Sequence, residues 1–278
     1  MQVRTLSSND KDHLLQALNH AFADYIVPFQ LTAEQLQSKI KNEDIHLPWS
    51  VGAFDNDKLI AFMLYGVREN DGNKTVYNGG TGVLPAYRGK GLVGQMSAFM
   101  KPFFQENNVQ QVVLEVIEGN DAAIRAYEKD GFTINRKLLC FSGEIQVKST
   151  DNIATIQTIN EFSWPTLQSF WDITPSWQNM PASIEHMHLH ILGAFVQDQL
   201  IGYVFFSPLT RRIHQFAVAP LFRRKGIASR LFAEINRLVA GEKVQVNNVD
   251  EASFESKLFL EKLGLTNHID QFEMITGL

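Results

Sequence analysis

Hydrophobic positions along the first half of the chain change period several times, and each change marks an element. Leu14, Leu15, Leu18 and Phe22 recur at helical spacing, so a helix follows Ser8 or Asn9, either of which can cap it. A short strand, residues 3–6, precedes it. Thr32 opens a second helix to about Lys41, with Glu34 in the first turn, where the helix dipole favours a carboxylate. Apolar runs bounded by turn residues then predict strands over 50–54, 58–68 and 74–83. A helix follows Gly91 to about Gln105, with Pro102 placed to kink it or end its regular part. Residues 109–117 form an apolar strand interrupted by Gln110, Gln111 and Glu115. A helix from Asn120 stops at Gly131, a residue suited to a left-handed helix end, and 132–147 complete the sheet.

The second half repeats this plan. Val51-Gly52-Ala53-Phe54, a polar turn and Lys58-Leu59-Ile60-Ala61-Phe62 read as a hairpin; Leu192-Gly193-Ala194-Phe195, a turn and Leu200-Ile201-Gly202-Tyr203 read the same way. Tyr127-Glu128-Lys129-Asp130-Gly131-Phe132 matches Leu260-Glu261-Lys262-Leu263-Gly264-Leu265. The landmarks keep their order and nearly their spacing, which predicts a tandem repeat with its boundary near 143–152. Residues 151–185, with three tryptophans and three prolines, show no period and receive no assignment. Strands and helices mixed in this order define an α/β protein, an α+β sandwich.

Composition narrows the function classes. The 278 residues, 45% hydrophobic and 20% charged, suffice for one large domain or two ordinary ones. A net charge of −5 argues against broad nucleic-acid binding, which needs a large basic surface. The single cysteine, Cys140, excludes an intrachain disulfide framework and fits a reducing compartment. The N-terminus lacks the apolar core of a signal peptide, and no apolar run reaches the ~20 residues that span a bilayer. A cytoplasmic protein without membrane or nucleic-acid partners is expected.

The candidate chemistry lies in two turns. Val83-Leu84-Pro85-Ala86-Tyr87-Arg88-Gly89-Lys90-Gly91-Leu92-Val93 and Val218-Ala219-Pro220-Leu221-Phe222-Arg223-Arg224-Lys225-Gly226-Ile227-Ala228 each end a strand and open a helix. Each gathers free backbone N–H groups, the positive end of a helix dipole and several cations, which suits a polyphosphate. The alternative is a solvated cap. Lys and Arg at a helix start are unfavourable by about 0.3–1 kcal/mol each without an anion, and their recurrence in both halves argues for one.

These turns resemble the pyrophosphate loop of the Gcn5-related N-acetyltransferase (GNAT) superfamily, with its pattern Arg/Gln-x-x-Gly-x-Gly/Ala. Arg223-x-x-Gly226-x-Ala228 fits in full; Arg88-x-x-Gly91-x-Val93 departs at its last place, with Gly94 following at once. The resemblance implies two tandem GNAT-like domains, 1–147 and 148–278, each a mixed, mostly antiparallel sheet flanked by helices. It implies acetyl-CoA as co-substrate, held by Val83, Arg88, Gly89, Lys90, Gly91, Leu92, Val93 and Gly94, and in the second half by Arg223, Arg224, Lys225, Gly226 and Ala228. By the same resemblance Asn120 orients the cofactor arm, and the strand carrying Thr81 and Gly82 pairs with pantetheine. Gly79, Gly80 and Gly82 suit a bulge that splays the strands.

Amine acetylation requires loss of the amine proton, stabilisation of an oxyanion and departure of a thiolate. Similarity to the family points to Tyr127 as the acid that protonates the thiolate; the alternative is a core aromatic. Glu115, charged within an apolar strand, is the candidate base, or a glutamate facing a solvated groove. Leu260 stands where Tyr127 does and has no proton to give, so the first half is expected to be catalytic and the second degenerate. His186, His188 and His190 alternate as on one face of a strand, but only Glu185 is a neighbouring carboxylate, and no metal is expected. Asp24, Tyr25, Pro28 and Phe29 either line the acceptor pocket, as this connection does in similar proteins, or serve packing. The expected function is N-acetyl transfer to a primary amine of a small molecule or peptide, by a monomer or homodimer. The alternatives are a non-catalytic acyl-CoA-binding module and a tandem transferase like the mycothiol synthases, whose chemistry lies in the C-terminal unit.

Overall fold

A computed structural model describes residues 1–70, 72–147 and 154–278. The elements of the first half are β1 (Gln2–Thr5), α1 (Lys11–Ala21), α2 (Ala33–Asn42), β2 (Val51–Asp55), β3 (Lys58–Asn70), β4 (Asn73–Val83), α3 (Leu92–Glu106), β5 (Val109–Ile117), α4 (Asp121–Lys129) and β6 (Thr133–Gly143). The second half contributes β7 (Thr155–Thr158), α5 (Trp164–Gln168), α6 (Pro181–Ile184), β8 (His190–Val196), β9 (Gln199–Ser207), β10 (Arg212–Val218), α7 (Ile227–Leu238), β11 (Val244–Asp250), α8 (Phe254–Lys262) and β12 (Thr266–Gly277). They form two compact units: Met1–Asn135 with Phe272–Leu278, and Arg136–Gln271. The boundary expected between 147 and 148 borders residues 148–153, which lie outside the described residues. Each unit is a mixed, mostly antiparallel sheet flanked by helices. Among the described residues no helix is long and apolar enough to cross a membrane.

In the first unit the strands run β1-β2-β3-β4-β5, antiparallel until the parallel pair β4·β5. Helices α3 and α4 cover one face, burying Met96, Met100, Phe104 and Tyr127. Helices α1 and α2 cover the other, burying Leu14, Leu18, Leu36 and Phe62. The expected cap at Ser8 or Asn9 is corrected: a 3-10 turn precedes α1, and its cap is Ser7. The Asp10 carboxylate accepts from the Ser7 N–H at 2.8 Å and from Arg4 at 2.9 and 2.7 Å. That pairing with Arg4 holds the Asp10 carboxyl well below the usual range. Thr32 caps α2 as expected, its hydroxyl accepting from the Gln35 N–H at 3.3 Å. Helix α3 runs through Pro102 to Glu106.

The feature that makes room for a ligand is a bulge in β4. Pairing with β3 passes from Leu64↔Gly80 to Tyr65↔Asn78, leaving Gly79 as the extra residue. Pairing of β4 with β5 ends at Asn78↔Leu114, and beyond it the two strands part. A Cβ at Gly79 would lie 2.6 Å from Glu43 Oε2, so a larger residue at the bulge would displace that carboxylate. The splay foreseen from Gly79, Gly80 and Gly82 is present.

The second unit orders its strands β6-β11-β10-β9-β8-β7. Its bulge falls in the same register: Phe206↔Ile213 is followed by Phe205↔Gln215, so His214 stands where Gly79 does. Parallel pairing of β10 with β11 covers Arg212–Ile213 and Gln245–Val246. The unassigned stretch supplies β7, α5 and α6, all short. The alternating histidines do not share a strand: α6 ends at Ile184, turns follow, and only His190 belongs to β8.

Candidate active site

The turn from β4 into α3 is built by two left-handed glycines, Gly89 (φ 74°) and Gly91 (φ 71°), the latter capping the helix. The first intrahelical donor is Gln95, whose N–H reaches Gly91 O at 3.1 Å, so the N–H groups of Leu92, Val93 and Gly94 precede the ladder. A Cβ at Gly89, Gly91 or Gly94 would meet nothing within 4 Å. Lys90 Nζ sits 4.7 Å from the centroid of the Tyr87 ring, and the Tyr87 hydroxyl donates to Asp55 at 2.8 Å. The second turn copies this backbone. Gly226 (φ 78°) caps α7, Arg224 adopts φ 60° where Gly89 stands, and Lys225 lies 5.3 Å from the Phe222 ring. A left-handed arginine costs on the order of 1 kcal/mol.

Arg88 and Arg223 are among the residues expected to hold the cofactor. In the structure their guanidinium groups tie each turn to the segment before it. Arg88 donates to Asp24 at 2.7 and 2.6 Å, to Ala21 O at 3.0 Å and to Val83 O at 3.2 Å. Arg223 repeats the pattern with Asp172 at 2.6 Å, Phe170 O at 2.9 Å and Val218 O at 3.0 Å. The pairings with Asp24, Ala21, Asp172 and Phe170 join residues far apart in the chain and had no local signal beyond the aspartates.

Asn120 caps α4: its Oδ1 accepts from the Ala123 N–H at 3.3 Å, while its Nδ2 donates to the Tyr25 hydroxyl at 3.1 Å. Tyr127 lies two turns further along the same helix face, 9% exposed and packed against Phe132. Its hydroxyl faces Thr81, whose own hydroxyl accepts from Asn78 Nδ2 at 2.8 Å. Burial pushes the Tyr127 phenol up to about 12, against the opposing effect of Thr81.

Glu115 sits on the other side of the sheet. Leu114 and Val116 point into the core under α3 and α4, so the alternation of β5 turns Glu115 away from it. There the Tyr77 hydroxyl donates to Glu115 Oε2 at 3.3 Å. Glu43 joins this face at the bulge, its carboxylate taking Lys39 Nζ at 2.7 Å. Sequence reasoning missed Glu43 and Tyr77; the i,i+4 spacing of Lys39 and Glu43 marks a helix pair, not a place beside a bulge. Tyr127 and Glu115 thus flank, from opposite faces, the place where β4 and β5 part.

The same positions of the second unit carry different residues. Leu260 replaces the tyrosine, Ser253 the asparagine, and Asn247 follows Val246 as Glu115 follows Leu114. Phe216 takes the register of Thr81 and packs against Phe232 and Phe259, ring centroids 5.1 and 5.8 Å away. Gln215, in the register of Gly80, donates to Asn179 O and accepts from the Tyr203 hydroxyl at 3.0 Å. Larger side chains therefore stand beside the second gap, where the first unit has Gly80 and Thr81. Among the described residues no group of three metal-ligating side chains occurs.

A parallel strand pair that splits beside an open-amide helix start, built twice in one chain, defines a duplicated transferase fold. The acetyltransferase (GNAT) family model matches residues 14–132 and again 156–265, and the chain belongs to that family. A mycothiol acetyltransferase from Corynebacterium efficiens is 30% identical over 105 residues, which cover 38% of this chain and 33% of that protein. The chain thus matches about a third of that relative's length. A GCN5-related N-acetyltransferase from Sphaerobacter thermophilus superposes with a TM-score of 0.75 at 14% identity, covering 99% of this chain and 95% of the other. A tandem GNAT protein from the clavulanic acid biosynthesis pathway gives 0.72 at 11%, covering 99% and 98%. At these identities the superpositions show the shared fold.

Proposed function

We propose that the first unit is an acetyl-CoA-dependent N-acetyltransferase that acetylates a primary amine of a small molecule or peptide by direct attack. Tyr127 serves as general acid and Glu115 as general base. The observation that carries this reading is the placement of those two groups on opposite faces of one strand gap, beside a turn whose amides are open. The gap fits the cofactor: Gly80, Gly89, Gly91 and Gly94 face open space, and β4 beyond Asn78 leaves its β5-facing edge for a pantetheine arm.

When bound, acetyl-CoA supplies the acetyl group as a thioester whose sulfur leaves as a thiolate. The amides of residues 89–94 and Lys90 hold its diphosphate. In the second unit Arg223, Arg224, Lys225, Gly226 and Ala228 keep the shape of such a turn, but the larger side chains beside its gap argue against turnover there. Tyr127 stays protonated throughout the neutral range and offers its hydrogen to the sulfur. The enclosure that raises the phenol raises a thiolate's proton affinity too, so donor and acceptor shift together. Glu115, directly or through a water, takes the ammonium proton; positioned acid–base groups contribute about 10²–10⁴-fold in rate. The family assignment and the likeness to a mycothiol acetyltransferase support acetyl transfer as the reaction. We place the protein in the cytoplasm as a monomer or homodimer, a setting that the single Cys140 supports.

Incubating the protein with acetyl-CoA and a panel of amines, with titration of released thiol, tests the reading. Thiol release that depends on an amine and is lost in Tyr127→Phe is the expected result. No release with any acceptor overturns it.

A further inference from the structure

A regular strand points residues three apart to opposite faces. In β4 the extra residue of the bulge, Gly79, puts Asn78 and Thr81 on one face, where their side chains meet. Val76 belongs to the core under α3 and α4, so alternation turns Asn78 to that side of the sheet, the side of Tyr127. Asn78 is 6% exposed and is the last residue of β4 to pair with β5 before the strands part. Its Oδ1 accepts from the Gly80 N–H at 3.1 Å, and its Nδ2 donates to Thr81 Oγ1 at 2.8 Å. The carboxamide is thus locked across the bulge, and it fixes the Thr81 oxygen in turn.

That lock leaves the Thr81 hydrogen a choice. One lone pair of Oγ1 is taken by Asn78 Nδ2, so the O–H can point to Asn78 Oδ1, 3.2 Å away, or to the Tyr127 oxygen that it faces. The second unit provides an internal control. Its bulge has the same register, but Ile213, Phe216 and Leu260 stand where Asn78, Thr81 and Tyr127 do, all in or against one apolar core. The bulge itself therefore needs no polar residue on this face. The amide and the hydroxyl accompany the phenol.

We infer that Thr81, fixed by Asn78, is a positioning residue for Tyr127 whose hydroxyl steadies the phenolate left when Tyr127 has given its proton away. This rests on the acetyltransferase reading above. In that step the Tyr127 O–H bond breaks, an S–H bond forms at the leaving sulfur, and the negative charge passes to the phenol oxygen. The Thr81 hydrogen turns from Asn78 Oδ1 to that oxygen while staying on Thr81. Water reprotonates the phenol once the thiol has left. A buried phenolate without such a donor would bear the full cost of its lost hydration.

Thr81→Val keeps the shape of the side chain and removes the hydroxyl. It is expected to lower kcat about tenfold or more, the loss of one hydrogen bond to a charged group, with the KM values for acetyl-CoA and amine unchanged. Thr81→Ser should recover most of that rate. On the residual rate of Tyr127→Phe, Thr81→Val should have no further effect, because the oxygen it serves is gone. A wild-type kcat in Thr81→Val, a loss that Thr81→Ser does not repair, or an undiminished loss in the Tyr127→Phe background overturns this role alone. No thiol release from the wild-type protein with any acceptor removes the acetyltransferase reading and this role together.

Discussion

The first unit has Gly79 at its bulge, Gly80 and Thr81 beyond it, and a phenol facing them; the second has His214, Gln215, Phe216 and a leucine in the same register. The backbones agree down to the left-handed helix cap and the arginine tie. What differs is the size of the side chains beside the parted strands. A phosphate-type turn therefore reports the shared architecture of the two units, and the residues at the strand gap are what set them apart. The more regular turn motif belongs to the second unit, so turn regularity and the residues at the strand gap rank the two halves in opposite orders.

The largest effect should come from the reacting group. Tyr127→Phe is expected to lower kcat by about 10²–10⁴-fold with coenzyme A affinity kept. Leu260→Tyr in the same protein should restore nothing in a thiol-release assay, because Phe216, Phe232 and Phe259 fill its gap. Recovery of activity would break the comparison.

Thr81→Phe imports the second unit's plug into the first. Calorimetry should then show coenzyme A affinity falling by about a hundredfold or more, and wild-type protein should titrate with one pantetheine-dependent site. Two equivalent sites would mean that the aromatic cluster yields to ligand. Phe232→Ala should cost the second unit about 3–5 kcal/mol in denaturant unfolding and leave thiol release intact.

The smallest effects concern pH. Tyr127, raised to about 12 in the fold, keeps its proton through pH 10, where an unfolded tyrosine loses it. Any descending limb of kcat that belongs to it should lie near pH 12, and the stability it contributes is present below pH 10 and lost as pH rises towards 12. His214 shifts the other way, down to about 2 by burial and by Arg212. The unfolded chain then binds more protons below about pH 6.5, so stability falls on acidification, by at most about 1.4 kcal/mol per pH unit. His214→Gln should flatten that slope in acid denaturation.

Elements governed by local pattern were legible in the sequence. Strand β5 matches its expected bounds, α2 has its Thr32 cap, and the glycine cluster marked the bulge. Elements held by distant side chains were not. The stretch from Trp164 to Asn179 is fixed by Arg136 donating to Thr174 O at 2.7 Å, by Arg223 to Phe170 O and by Gln215 to Asn179 O. Such anchors leave no period to read. The site was half legible for the same reason: Asn120 and Tyr127 fall within one helical motif, whereas Tyr77 and Glu43 reach it from other elements.

The membership of Phe272–Leu278 in the first unit bears on how the protein is made. Met274, fully enclosed, is part of the core under α3 and α4. A ribosome that has released Met1–Asn135 has not yet made the strand that seals that core. The amino-terminal unit must wait, partly built, until translation passes Phe272, a delay that favours capture by chaperones. Cutting the chain between the halves should therefore destabilise the amino-terminal unit as well as its neighbour.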